Sequence, residues 1–228
     1  MHRVKVKICG LQEEGHMAAA AEAGADYVGM VFAPSRRQVT PEKAERLRHT
    51  LDGLRTRPAV VGVFVNESPE LVNSIAERCG LDLVQLSGDE SSDYCTMIVR
   101  PIIRTIHVFP GTTRRDIKDQ MGAFRRDGTL QSVSFLLDTG SRGMGGGTGQ
   151  TFDWRVAREV AESYPVMVAG GLEPDNVGSL VAEVHPHGVD VSSGVERDGR
   201  KDSSLIRAFV DAVRRAEKEI EDADNIPA

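Results

Sequence analysis

The chain has 228 residues, with 28 Lys and Arg against 34 Asp and Glu and a formal net charge of -6. The charges are spread along its length, so no basic stripe marks a nucleic-acid surface, and no stretch approaches the roughly 20 apolar residues of a membrane helix. Three cysteines at positions 9, 79 and 95 form no C-x-x-C pair, and MHRVKVKICG lacks the apolar run of a signal peptide. A cytoplasmic protein without nucleic-acid or membrane partners is expected, as a monomer or homodimer.

Residues 4–11, VKVKICGL, read as a first strand. Val4, Val6 and Ile8 alternate with Lys5 and Lys7, Cys9 is the last strand residue, and Gly10 supplies the backbone freedom to leave it. Residues 12–23, rich in Ala and Glu, predict a helix closed at Gly24. YVGMVF at 27–32 predicts a buried strand, and a second helix starts at Pro41 after Thr40, with Ala44, Leu47, Leu51 and Leu54 on one face. AVVGVFV at 59–65 is the third strand. Leu71, Val72, Ile75, Ala76 and Cys79 follow at helical spacing, which puts Cys79 on a core-facing stripe.

Residues 82–86 predict the fourth strand, residues around 91–97 a short helix, and residues 99–108 contain the fifth strand. The polar segment 110–132 spaces Ile117, Met121 and Phe124 for one helical face, and its pairs Arg114-Arg115 and Arg125-Arg126 read as a solvated face. Strand six, 133–137, closes on Asp138 and leads into a Gly-dense loop at 139–150, then a helix carrying Val156, Ala157, Val160 and Ala161. Strand seven, 166–169, ends in Gly170-Gly171 and is followed by a helix at 174–184. Strand eight, 189–191, ends in Ser192-Ser193-Gly194. The last helix carries Leu205, Ile206, Phe209, Val210, Val213 and Ile220, and the acidic tail 221–228 is expected to fray.

Short apolar strands alternating with helical patterns are the rhythm of parallel βαβ units, and their count predicts an α/β fold, a single (β/α)8 TIM barrel over residues 1–220. An open doubly wound sheet is the alternative, but no G-x-G-x-x-G turn follows the first strand. Barrel active sites lie at the C-terminal strand ends, so Cys9, Arg37, Gln85, Asp138, Gly171, Asp190 and Ser193 are expected around one mouth. The endings A-G-G-L at 169–172 and S-S-G-V at 192–195 stand where barrels bind phosphate through loop amides. No Lys-Ser/Thr follows the glycines of GMGGGTGQ at 143–150, so that loop is no P-loop; it reads as a mobile cover or a flexible linker. Cys9 and Asp138 offer a base and an acid for moving protons on a sugar phosphate. A packed thiol and a helix-capping carboxylate is the competing reading, and the residues alone leave both open. No His/Cys/carboxylate cluster has ligand spacing, so no metal or organic cofactor is expected. His107, His185 and His187 read as surface or loop residues.

The chain resembles the phosphoribosylanthranilate isomerases of tryptophan biosynthesis. The matching stretches run in order along it: KICGL at 7–11, ADYVGMVF at 25–32, SRRQVTP at 35–41, VGVFVN at 61–66, QLSGDE at 85–90, LLD at 136–138, GGTGQTFDW at 146–154, AGGLEPDNV at 169–177 and GVDVSSGVE at 188–196. The resemblance implies an Amadori rearrangement with Cys9 as general base at the second ribose carbon and Asp138 as general acid at the ring oxygen. It further implies that Arg37 pairs with the anthranilate carboxylate, that Gln85 and Asp190 line the sugar, and that Gly149, Gly170, Gly171, Ser193 and Gly194 hold the phosphate. Ser87 departs from the His usual in Q-L-H-G, and the loop before G-G-T-G and the segment 110–132 are longer than usual, additions expected to be peripheral. The related isomerase of histidine biosynthesis uses an aspartate where this chain has Cys9.

Overall fold

The computed structural model describes residues 3–124, 133–139 and 153–224. Eight parallel strands close into a barrel in sequence order: β1 (Lys5–Cys9), β2 (Tyr27–Val31), β3 (Ala59–Phe64), β4 (Leu83–Leu86), β5 (Ile102–Val108), β6 (Val133–Thr139), β7 (Val166–Val168) and β8 (Gly188–Val191). Closure comes from β1 against β8, with Lys7 opposite Asp190 and Ile8 opposite Val191. This is the expected (β/α)8 barrel. The helices between and after the strands are α1 (Glu14–Glu22), α2 (Pro41–His49), α3 (Pro69–Arg78), α4 (Ser92–Thr96), α5 (Arg114–Ala123), α6 (Trp154–Ala161), α7 (Val177–Val184) and α8 (Ser203–Asp224).

Several helices begin where side chains cap them. Thr40 and Ser68 accept from the amides three residues on, with Pro41 and Pro69 in the first turn, and Thr113 and Asp116 form a reciprocal capping box. Strand parity then makes two cores. Val6, Ile8, Val28, Met30, Val60, Phe64, Val84 and Leu86 face outward and pack beneath the helices. Val61, Ile103, Leu136, Met167 and Ala169 face the axis and fill the barrel interior.

Two expectations change, and one feature is new. The segment 110–132 is not a peripheral addition in its described part, because α5 is the barrel's own fifth helix and buries Ile117 and Met121. The last helix continues past Glu221 to Asp224, since Ile220 still packs on the core and Glu and Ala favour helix there. After β8 the chain forms a 3-10 turn (Ser193–Val195) and a small hairpin of β9 (Glu196–Arg197) and β10 (Arg200–Lys201), too short and polar to register as strands in the sequence. Residues 125–132, with the second arginine pair, lie outside the described residues, as does the loop 140–152.

Candidate active site

Parity places the chemistry. Because the sheet is covered on both faces, the lysines that alternate with Val6 and Ile8 point toward the barrel axis. Lys7 is wholly shielded from solvent, and its Nζ lies 2.9 Å from Oδ2 of Asp190. Cys9, two residues on, faces the same way at the strand's C-terminal end. Opposite it on β2 stands Gly29, where a Cβ would lie 2.9 Å from the Cys9 Sγ, so glycine there leaves the thiol its room. Burial pushes the Cys9 thiol above its ordinary value and Asp190 adds to the rise, while Lys7 and Lys201 pull it back. Burial also works against the Lys7 ammonium, but Asp190 and the Cys9 sulfur outweigh it and hold Lys7 charged.

Across the axis, Asp138 on β6 is pushed up to about 6 by burial and by the Asp190 carboxylate, with His107 opposing. His107 sits on β5 in register with Asp138, half-buried, and so is neither a loop nor a surface residue. Its Nε2 lies 3.1 Å from the Ser87 carbonyl oxygen, which only accepts, so that nitrogen carries the hydrogen. The signal is weak: His107 shares the parity of Ile103 and Thr105, but β5 also carries Arg104 on its other face.

Gln85 on β4 is buried, and its Nε2 donates to Ser87 Oγ at 3.1 Å and to Thr105 Oγ1 at 3.4 Å, the two hydroxyls being 2.9 Å apart. The Ser87 side chain thus belongs to a β4–β5 hydroxyl network. Arg104, on the outward face of β5, fixes the turn that carries Ser87 by donating to the carbonyls of Leu86 and Gly88 and to Glu90. Gln85 Oε1 and Asp190 Oδ1 are buried acceptors with no hydrogen-bond partner among the described residues.

Arg37 lies at the mouth with one edge of its guanidinium on Glu196, Nε 2.6 Å from Oε1 and Nη2 3.1 Å from Oε2. Its side chain crosses Gly10, whose φ of 77° and missing Cβ are both needed, since a Cβ would meet Arg37 Cδ at 2.6 Å. Lys201 on β10 joins Glu196 at 3.0 Å and donates to the Ser192 carbonyl at 2.7 Å. Neither Glu196 nor Lys201 was singled out by the sequence reading. Their contacts come from a hairpin that sequence patterning does not reveal.

The turns after β7 and β8 abut. Gly170 and Gly171 have φ of 93° and 64°, and a Cβ on Gly194 would fall 1.8 Å from the Leu172 carbonyl oxygen. The amides of Gly171, Ser193 and Gly194 donate to no backbone carbonyl among the described residues. Gly149 lies outside the described residues. Cys9, Gln85, Asp138 and Asp190 therefore face one axis from β1, β4, β6 and β8, with Arg37, Gly170, Gly171, Ser193 and Gly194 on the adjoining loops.

A closed (β/α)8 barrel with an inward thiol, a carboxyl held up near neutrality and glycine-opened turns after its last two strands has the make-up of an acid–base enzyme for a small anionic substrate. The model of the N-(5'-phosphoribosyl)anthranilate (PRA) isomerase family matches residues 6–212. The chain belongs to that family. An N-(5'-phosphoribosyl)anthranilate isomerase from Dehalococcoides mccartyi is 46% identical over 214 residues, covering 94% of this chain and 97% of the relative. The crystal structure of phosphoribosyl anthranilate isomerase from Thermotoga maritima superposes with a TM-score of 0.80 at 35% identity, covering 93% of this chain and 99% of that one. A phosphoribosyl anthranilate isomerase in complex with reduced 1-(o-carboxyphenylamino)-1-deoxyribulose 5-phosphate gives 0.77 at 34% identity, with the same coverage.

Proposed function

We propose that this chain isomerises N-(5-phosphoribosyl)anthranilate to 1-(2-carboxyphenylamino)-1-deoxyribulose 5-phosphate, with Cys9 as general base and Asp138 as general acid. The observation that supports the assignment of roles is the convergence of two groups on the barrel axis: the Asp138 carboxyl on β6, pushed up to about 6 by burial and Asp190, and the Cys9 thiol on β1 beside the Lys7–Asp190 pair.

The carboxyl of Asp138 gives its proton to the ring oxygen as the furanose opens to an iminium. The Cys9 thiolate removes the proton from the second ribose carbon, and the electron pair of that C–H bond neutralises the iminium to give the enolamine. The enolamine then tautomerises to the ketose. The thiol has gained one proton and the carboxyl lost one, so their exchange through solvent resets the site.

The unpartnered acceptors Gln85 Oε1 and Asp190 Oδ1 suit the ribose hydroxyls, since a buried acceptor costs stability until a donor reaches it. Arg37 receives the anthranilate carboxylate on the guanidinium edge that Glu196 does not occupy. The amides of Gly170, Gly171, Ser193 and Gly194, with the loop of Gly149, receive the phosphate. A biosynthetic reaction of this kind belongs in the cytoplasm, as the reduced, sparse cysteines also suggest.

Complementation tests the reading. The gene is expected to restore growth of a tryptophan auxotroph lacking this isomerase and to leave a histidine auxotroph lacking the related isomerase unable to grow; growth of the second strain alone would overturn it.

A further inference from the structure

The reaction proposed above asks a buried thiol to act as a base, although burial by itself favours the neutral thiol. The charges walled in around Cys9 answer this. Lys7 from its own strand, Asp190 from β8 and Lys201 from the β9–β10 hairpin act on the thiol directly; Glu196 on the same hairpin links Lys201 to Arg37 in the loop after β2, and Asp138 on β6 feels Asp190 and Lys7. β2 places Gly29, which carries no charge, next to the sulfur.

Lys7, Arg37 and Lys201 are three buried cations, whereas Asp190 and Glu196 are two buried carboxylates that pair with them. Glu196 is also met by the exposed Arg36; with Asp138 protonated, the buried groups of this wall alone carry one positive charge more than they cancel. A thiolate at Cys9 closes the balance. Among the cations, Lys7 is fully buried and shares the inward parity of Cys9, and its ion pair with Asp190 holds it in place. Arg37 and Lys201, by contrast, both engage Glu196.

We propose that Lys7 is a positioning residue for the reaction: its ammonium, locked by Asp190, supplies the charge against which the Cys9 thiolate is held. Lys7 touches no substrate in this scheme and moves no proton. It acts on the relative stability of two arrangements of one proton, carboxylate with thiol against carboxyl with thiolate, of which only the second is competent. The competent fraction falls tenfold for each unit by which the thiol moves away from the carboxyl.

This inference rests on the proposed isomerase reading, so its test includes a readout that needs no substrate. The rate of Cys9 alkylation by iodoacetamide is followed against pH in the wild type, in Lys7→Met and in Lys7→Arg, with Cys9→Ser as the blank for Cys79 and Cys95. Lys7→Met is expected to move the alkylation midpoint to higher pH and to slow alkylation at neutral pH by about tenfold or more. Its kcat/KM plateau is expected to drop, with the alkaline limb displaced upward by more than the acid limb, since Lys7 also acts on Asp138, though less than burial and Asp190 do, and Lys7→Arg to recover much of both. Should Lys7→Met fail to fold with Asp190 left unpaired, Lys7→Met/Asp190→Leu removes both charges; its midpoint is still expected to move upward, because Lys7 stands two residues from Cys9 on the same face of β1 while Asp190 lies opposite Lys7 on the neighbouring strand. An unchanged midpoint in either folded variant, whatever the loss of turnover, would overturn the proposal and make Lys7 a packing residue. A shifted midpoint in a protein whose wild type does not isomerise N-(5-phosphoribosyl)anthranilate would overturn the assigned reaction while leaving the coupling of Lys7 to Cys9 in place.

Discussion

Arg37 and Glu196, 159 residues apart in the chain, meet edge to edge at the barrel mouth, with Arg37 Nε 2.6 Å from Glu196 Oε1. The contact fixes the guanidinium plane and leaves its other edge for a second carboxylate. Arg37→Ala is expected to raise KM about 10- to 100-fold, the worth of a charged hydrogen-bonded pair, with a smaller effect on kcat. Glu196→Gln keeps the arginine but loosens its orientation, so its KM should rise less. Steady-state kinetics on both variants measure this, and an unchanged KM in Arg37→Ala would remove Arg37 from substrate binding.

Under the proposed roles, Asp138 and Cys9 have their protons in the less reactive arrangement at neutral pH, with the carboxyl pushed up to about 6 and the thiol raised by burial. Below about pH 6 both hold protons, and above the thiol's value neither does. Between them one proton is shared, and the competent carboxyl–thiolate form is a small fraction that does not change with pH. The pH profile of kcat/KM should therefore rise through about 6, run flat, and fall only on the alkaline side. A profile that falls through 6 would contradict the pairing.

Asp138 also bears on stability. Its folded value, about 6, lies above the unfolded 3.8, so the folded state binds this proton more tightly. The resulting stabilisation is complete below the unfolded value and is lost as pH rises toward and through 6. Asp138→Asn removes the cost of an ionised carboxylate in that site, and the variant is expected to be more stable than the wild type at pH 8 by about 2 kcal/mol, an advantage absent at pH 4. Denaturant melts at the two pH values check this. The same substitution should abolish turnover, because an amide has no proton to give the ring oxygen.

At the other end of the mouth, Gly194→Ala places a methyl group against the Leu172 carbonyl, where 1.8 Å is far inside contact distance. The turns after β7 and β8 must separate. A loss of about 1 to 3 kcal/mol of stability is expected, with a raised KM as the loop amides lose their common focus. Thermal melts and KM measured together test it, and wild-type values for both would show that the turns do not act as one unit.

Much of this architecture was legible because its causes are local. The helix starts at Pro41 and Pro69 follow from caps within three residues, and the alternation at Val4, Val6 and Ile8 follows from strand period. Lys7 was harder to read. Alternation separates its side chain from Val6 and Ile8, but only barrel closure says that the polar side is the inside, where β8 brings Asp190 from 183 residues away. Glu196 and Lys201 follow the same rule, since a two-residue strand leaves no periodicity to detect. His107 is hidden for a related reason: without the β5–β6 register, nothing in the sequence ties it to Asp138.

In the proposed reaction Asp138 gives one proton to N-(5-phosphoribosyl)anthranilate and Cys9 takes one from it. Single-turnover conversion of that substrate by the purified wild type, Cys9→Ala and Asp138→Asn, with folding verified by circular dichroism, tests it most directly. Ketose formation in the wild type and a loss of about 1000-fold or more in each folded variant is the predicted result, in keeping with removal of a general acid or base. Conversion at the wild-type rate by either variant would contradict it.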